Sequence, residues 1–245
     1  MNEHEDSLLG GKVRLLQMQD GYRTAIDPVL LAAAVPAKAG EVVLDLGCGA
    51  GAVSFCLRAR VHGVTVTGLD MQKPLVDLAR RNGALNNCGD DAHFVDGDLL
   101  TPPAEIPEAS FDHVMANPPY FVANTGNPSP DAAKALANIE GEAGLVDWVR
   151  AAHRALKTRG SVTFIHRPDR IDDLLAALYG GFGELVIFPL WPAQGKKAKR
   201  VIVAARKGVA SPARISPGLV LHENDGSFSD QAQGILKDAA ALSVS

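Results

Sequence analysis

Asn117-Pro118-Pro119-Tyr120 closes an apolar run, Phe111 to Ala116, and unites an amide, two rigid prolines and an aromatic ring in four residues. An amide oxygen and a backbone carbonyl in a proline-stiffened loop can accept both N–H bonds of a planar amino group, while a flanking ring stacks on the group that carries it. An exocyclic amino nitrogen is a poor nucleophile because its lone pair is delocalised into the ring. Two acceptors, Asn117 and the Pro118 carbonyl, draw it toward tetrahedral geometry and release that lone pair for in-line attack, with Tyr120 as the stacking platform and Phe121 as apolar wall. Such chemistry is positioning and electrostatics; it calls for no metal and no charged base. Taken alone, the tetrapeptide also fits a stiff loop with a packed tyrosine.

A second constellation lies upstream. Val42-Val43-Leu44-Asp45-Leu46 runs into Gly47-Cys48-Gly49-Ala50-Gly51, a strand entering a glycine-rich turn, where backbone N–H groups and a helix N-terminus can face a nucleotide cofactor. About twenty residues on, Asp70 ends the apolar run Val64 to Leu69, where a carboxylate can accept from two ribose hydroxyls. Gly47-x-Gly49-x-x-Ala52 also satisfies a looser dinucleotide fingerprint, so the loop leaves a dehydrogenase open. Beside the Asn117 loop, it points to group transfer onto nitrogen.

These loops need a sheet to hold them. Short apolar runs predict strands at 41–46, 64–69, 92–95, 111–116 and 161–166. Helical periodicity falls between them at Leu145, Trp148, Val149, Ala152 and Leu156, and at Ile171, Leu174, Leu175 and Leu178, with a further helix near Pro74. Glu184–Leu190 and Arg200–Arg206 read as an antiparallel hairpin at one edge. The expected fold is α/β and doubly wound, a mostly parallel seven-stranded sheet with an antiparallel edge hairpin. Residues 1–39 form a leader over the cofactor cleft, with a strand or hairpin in Gly10–Gln19 and a short helix over Asp27–Val35; residues 40–207 form the core. Residues 208–245 make a linker, Lys207 to Gly218, and a final helix around Ser229 to Leu242.

Composition sets the outer bounds. A chain of 245 residues at 47% hydrophobic can bury one full core, and a net charge of -4 requires any polyanion to be met by a local patch. Lys196, Lys197, Lys199 and Arg200 in the hairpin turn supply one: if the strand before them runs parallel to the core, they share the sheet edge of Asn117. A solvated turn explains the same charges. Cys48, Cys56 and Cys88 have neither metal-ligand nor disulfide spacing, and no run reaches membrane-spanning length, so a cytoplasmic protein without a metal is expected.

Asp45-x-Gly47-x-Gly49-x-Gly51 resembles the first motif of class I S-adenosylmethionine-dependent methyltransferases, and Asn117 to Tyr120 resembles that of their amino-methyltransferases, which modify adenine N6, cytosine N4 or a glutamine amide. The stretch Leu15 to Ala32, Ile165-His166-Arg167, Pro189 to Pro192 and Leu221 to Gly226 extend the likeness to the bacterial tRNA(Val) adenine-N6 methyltransferase group, the small-domain methyltransferases. The resemblance implies S-adenosylmethionine as cofactor. Asp45 would fix the loop and methionine moiety, Asp70 bind ribose, Met71 flank adenine and Asp98 meet its amino group. Tyr22, Arg23 and Asp27 would lie at the methionine end, with Asn117 bordering cofactor and acceptor. It further implies adenine in RNA, a tRNA, as the acceptor, with no membrane and no obligatory protein partner. A glutamine amide, an rRNA amino group and a catalytically silent RNA-binding module stay open.

Overall fold

Alternation along the apolar runs decides which layer each side chain enters, and it does so around one sheet. The computed structural model describes residues 3–18, 26–120 and 143–244. Seven strands form its body: β3 (Val42–Leu46), β4 (Thr65–Asp70), β5 (Ala92–Asp96), β6 (Phe111–Ala116), β7 (Leu156–His166), β8 (Phe182–Ala193) and β9 (Arg200–Lys207), in the order β5-β4-β3-β6-β7-β9-β8. All neighbours through β7 are parallel, while β9 runs antiparallel to both β7 and β8. Val43, Val66, Met115, Ile165 and Ile202 point to one layer. Leu44, Leu46, Val114, Val162, Phe164 and Val203 point to the other, the period of two that a pleated strand imposes.

The first layer holds α1 (Asp27–Ala34), α2 (Ala52–Arg60), α3 (Lys73–Leu85) and α6 (Asp230–Asp238); the second holds α4 (Leu145–Ala155) and α5 (Ile171–Leu178). Every residue of α1 is buried. Arg60 anchors its end by donating Nε to the Ala32 carbonyl at 3.2 Å and Nη2 to that of Val35, which satisfies carbonyls the helix leaves open. Full burial of a side chain such as Leu30 or Phe164 contributes about 1.5–3 kcal/mol.

The ends of the chain carry more order than their composition suggests. A hairpin, β1 (Glu3–Leu8) with β2 (Val13–Met18), lies ahead of the core, so the strand expected in Gly10–Gln19 has a partner further upstream. The expected linker contains β10 (Arg214–Ile215), and with β11 (Leu219–His222) it pairs in parallel with the outer side of β8. The β8–β9 hairpin therefore sits at that end of the sheet without forming its rim. The last helix is shorter than expected, starting behind Ser229, whose Oγ accepts from Ala232 N at 3.3 Å, and stopping at Ala239 in a left-handed conformation (φ 61°).

Candidate active site

Strand order creates the site. From β3 the chain crosses to β4 on one side, while β6 joins β3 on the other, and ligands of doubly wound sheets bind at the C-terminal ends of strands around such a reversal. Leu46 pairs with Leu69 on one flank and Ala116 on the other, so the loops beginning at Gly47 and Asn117 leave the sheet side by side. His166 ends β7 on the same edge, and Arg200, opening the antiparallel β9, arrives there too.

The glycine loop is held by backbone. Gly47 N and Cys48 N both donate to the Leu69 carbonyl, at 2.8 and 3.1 Å, and Gly49 N donates to Asp70 Oδ2 at 2.8 Å. Gly47, at φ 68°, turns its Cα toward Trp148; a Cβ there would meet Cη2 at 2.4 Å. Gly49, at φ 53°, would aim a Cβ into open space. One glycine answers to packing and the other leaves room for a ligand, the cradle that a nucleoside cofactor requires. Asp70 Oδ1 accepts Gln72 N at 2.8 Å, which leaves lone pairs on both of its oxygens for hydroxyl donors.

Two buried carboxyls give this side its electrostatics. Asp45, 1% exposed, accepts Ser54 Oγ from α2 at 2.6 Å, and burial, opposed by that bond and reinforced by Asp70, pushes its pKa up to about 7. Burial also raises Asp70, against its two backbone hydrogen bonds. A cationic group brought beside them would favour their charged forms, a second fit to a cofactor bearing an ammonium and a sulfonium. Met71 is 69% exposed next to Asp70. Asp98 is half-buried and accepts Leu100 N at 2.9 Å, in a loop whose Gly97 N reaches the Asp70 carbonyl at 3.0 Å.

Side chains hold the other loop. Tyr120 Oη lies 2.7 Å from Asp27 Oδ2 and 2.8 Å from Asn117 Oδ1. Arg200 Nε donates to the same Asp27 oxygen at 2.8 Å, and its guanidinium carbon stands 4.5 Å from the centre of the Tyr120 ring. Burial would lower the Arg200 pKa, but attraction to Asp27 and the Tyr120 contact raise it on balance. His166 sets its ring edge-on to Tyr120, 5.4 Å between centres, and Nε2 lies 3.4 Å from the Pro119 carbonyl. Burial lowers the His166 pKa, which keeps the imidazole neutral near pH 7.

The structure thus gathers Asp27, Asp45, Gly47, Gly49, Asp70, Asn117, Pro118, Tyr120 and Arg200 at one edge, with Met71 and Asp98 at the flank beside β4. Arg200 turns inward to Asp27 instead of outward with Lys196, Lys197 and Lys199, which are exposed in the turn. The Tyr120 ring is 7% exposed with Arg200 on one face, so it is not an open platform. Tyr22, Arg23 and Phe121 lie outside the described residues. Trp191 is half-buried and donates Nε1 to the Pro217 carbonyl at 3.0 Å. Sequence reasoning missed Asn82, fully buried on α3: its Nδ2 reaches the carbonyls of Ala50 and Leu16, both at 3.0 Å, and Oδ1 accepts Leu16 N at 2.8 Å. An amide on the apolar stripe of Val76, Ala79 and Gly83 was the available signal.

Residues 24–183 match the family model described as the methyltransferase small domain. The chain belongs to that family. Among curated members, the tRNA1(Val) (adenine(37)-N6)-methyltransferase of Aeromonas hydrophila is 26% identical over 212 residues, covering 85% of this chain and 86% of the relative. The enzyme of that name from Porphyromonas gingivalis is 28% identical over 220 residues, covering 85% of each. A solved structure of a predicted O-methyltransferase from Agrobacterium tumefaciens superposes with TM-score 0.75 at 26% identity, covering 89% of this chain and 98% of the other. This small-domain methyltransferase is a class I, S-adenosylmethionine-dependent enzyme. Among the described residues no helix is long and apolar enough to cross a membrane.

Proposed function

We propose that the protein methylates the exocyclic N6 of adenine in RNA, a tRNA, in the cytoplasm. The observation that carries this reading is the pairing of Leu46 with Ala116, which starts the Asn117 loop next to the glycine loop. In this reading Gly47 and Gly49 leave room for S-adenosylmethionine, Asp45 and the leader residues Tyr22 and Arg23 serve its methionine end, Asp70 its ribose, and Met71 and Asp98 its adenine. The cofactor supplies a methyl group on a sulfonium. Asn117 Oδ1 and the Pro118 carbonyl accept the two N–H bonds of the acceptor, and Phe121 walls its ring. No side chain needs to carry a full charge for that task, in keeping with a neutral His166 beside the loop.

Two features support RNA over a small acceptor. The relatives matched along most of the chain are named for a tRNA adenine, and three exposed lysines stand in the turn after β8, a strand parallel to the core. Residues 1–39 act in this reading as a leader over the cofactor cleft, supported by Asn82 bridging Leu16 and Ala50, with 40–207 as core and 208–245 as C-terminal extension. A glutamine amide is the second reading, since the release factor glutamine methyltransferase of Chlorobaculum tepidum is 34% identical over 80 residues. Transfer of labelled methyl to separated tRNA, rRNA and protein fractions, followed by nucleoside analysis, tests both. N6-methyladenosine in tRNA is expected; label confined to protein or rRNA overturns the reading.

A further inference from the structure

Tyr120 Oη lies within hydrogen-bonding reach of two side-chain oxygens, Asp27 Oδ2 and Asn117 Oδ1, and a phenol has one hydrogen to donate. The carboxylate is the stronger acceptor, since a bond to an ionised oxygen is roughly twice as strong as a neutral one. Asp27 is 4% exposed and ion-paired with Arg200 at 2.8 Å. The tyrosine proton therefore goes to Asp27, and the phenol oxygen offers lone pairs to Asn117. An amide meets lone pairs with its NH2, which a half-turn about χ2 brings into place and which moves Oδ1 to the opposite edge. The other orientation would spend the Asn117 oxygen on Tyr120 and present N–H groups to an acceptor that itself offers N–H.

We propose that Asp27 is a positioning residue for the acceptor, not a ligand of the cofactor's ammonium group: through Tyr120 it holds the Asn117 amide with nitrogen inward and oxygen toward the acceptor amino group. Arg200 keeps the carboxylate in place and packs over the tyrosine ring, coupling β9 to α1 across the Asn117 loop. The inference rests on the amino-acceptor reading above.

The test uses wild type, Asp27→Asn, Tyr120→Phe and the double variant, each full length. Calorimetry gives S-adenosylmethionine affinity, kinetics on the fraction that wild type methylates give kcat and KM, and 15N spectra report the Asn117 side-chain amide in the cofactor-bound protein without acceptor. Each single variant is expected to lower kcat roughly 10- to 100-fold, the double variant no further, with cofactor Kd held within about threefold. The Asn117 amide resonances shift in both single variants. Tyr120→Phe keeps the Asp27–Arg200 pair, so it stands even if Asp27→Asn folds poorly. A cofactor Kd raised tenfold or more in Asp27→Asn, with kcat restored at saturation, assigns Asp27 to the cofactor and overturns the proposal. So do independent, multiplying effects in the double variant. A wild type that methylates no amino acceptor sinks only the functional reading; Asn117 resonances unmoved by either substitution then sink the positioning role as well.

Discussion

The two loops at the switch point are built by opposite means. After β3, the glycine loop is tied mostly by backbone N–H groups to the Leu69 carbonyl and the Asp70 carboxylate on the neighbouring strand, with Asn82 of α3 adding a side-chain bond to the Ala50 carbonyl. After β6, the Asn117 loop is tied by side chains from remote places, Asp27 lying 93 residues from Tyr120 and 173 from Arg200. A backbone cradle leaves its carboxylates free to answer a ligand. A side-chain network can instead set the rotamer of one amide, at the cost of depending on every partner.

Asn117→Ala is the strongest way to separate the loops. Turnover should fall on the order of a thousandfold while cofactor affinity stays within a few-fold; parallel loss of both in calorimetry and single-turnover assays would merge the loops into one unit. Next is Asp45→Asn, which acts on the cradle alone. Because burial raises the folded pKa of Asp45 to about 7 from 3.8, the folded protein keeps a proton that the unfolded chain loses in that interval. Wild-type stability from this group is therefore fullest below about pH 4 and declines as pH rises to about 7. The asparagine variant lacks that decline, so urea melts of the cofactor-free proteins should show it gaining on wild type by on the order of 4 kcal/mol between pH 4 and 8; a constant difference would mean that Asp45 does not titrate there.

Gly47→Ala and Gly49→Ala sharpen the contrast within the cradle. The first drives a Cβ into Trp148 at positive φ and should cost about 2–4 kcal/mol of stability in thermal or urea melts. The second faces open space, so its cost should stay near 1 kcal/mol of backbone strain while cofactor binding weakens; equal melting losses would erase the distinction. Smallest is replacement of Lys196, Lys197 and Lys199 by alanine, expected to raise acceptor KM several-fold and to flatten the salt dependence of RNA binding by roughly one for each phosphate no longer neutralised. Filter binding across a salt series checks it, and an unchanged slope would leave the turn as solvated surface.

What was legible and what was not follows from the range of the forces involved. Strands and glycine turns are announced by local pattern: Val42 to Leu46, Phe111 to Ala116, Gly47 and Gly49 stand where periodicity and turn chemistry predict them. Both loop motifs were readable for the same reason, each being contiguous. Pairing of the upstream segment Glu3–Leu8 and addition of β10 and β11 beyond β8 were not legible, since β1 is mostly polar and β10 and β11 are only two and four residues long, too short to show a period, and all are stabilised by the edges they join. Arg200 read as one of four basic residues in a turn, because nothing in its neighbours reveals a carboxylate 173 residues away. By itself the sequence determined the central strands and helices, the glycine loop and the Asn117–Tyr120 tetrapeptide, all written in neighbouring residues. Only the tertiary structure decided that Asp27, Tyr120 and Arg200 meet: a buried charge must find its partner through the packed fold, and sheet order, not sequence order, decides which partner that is.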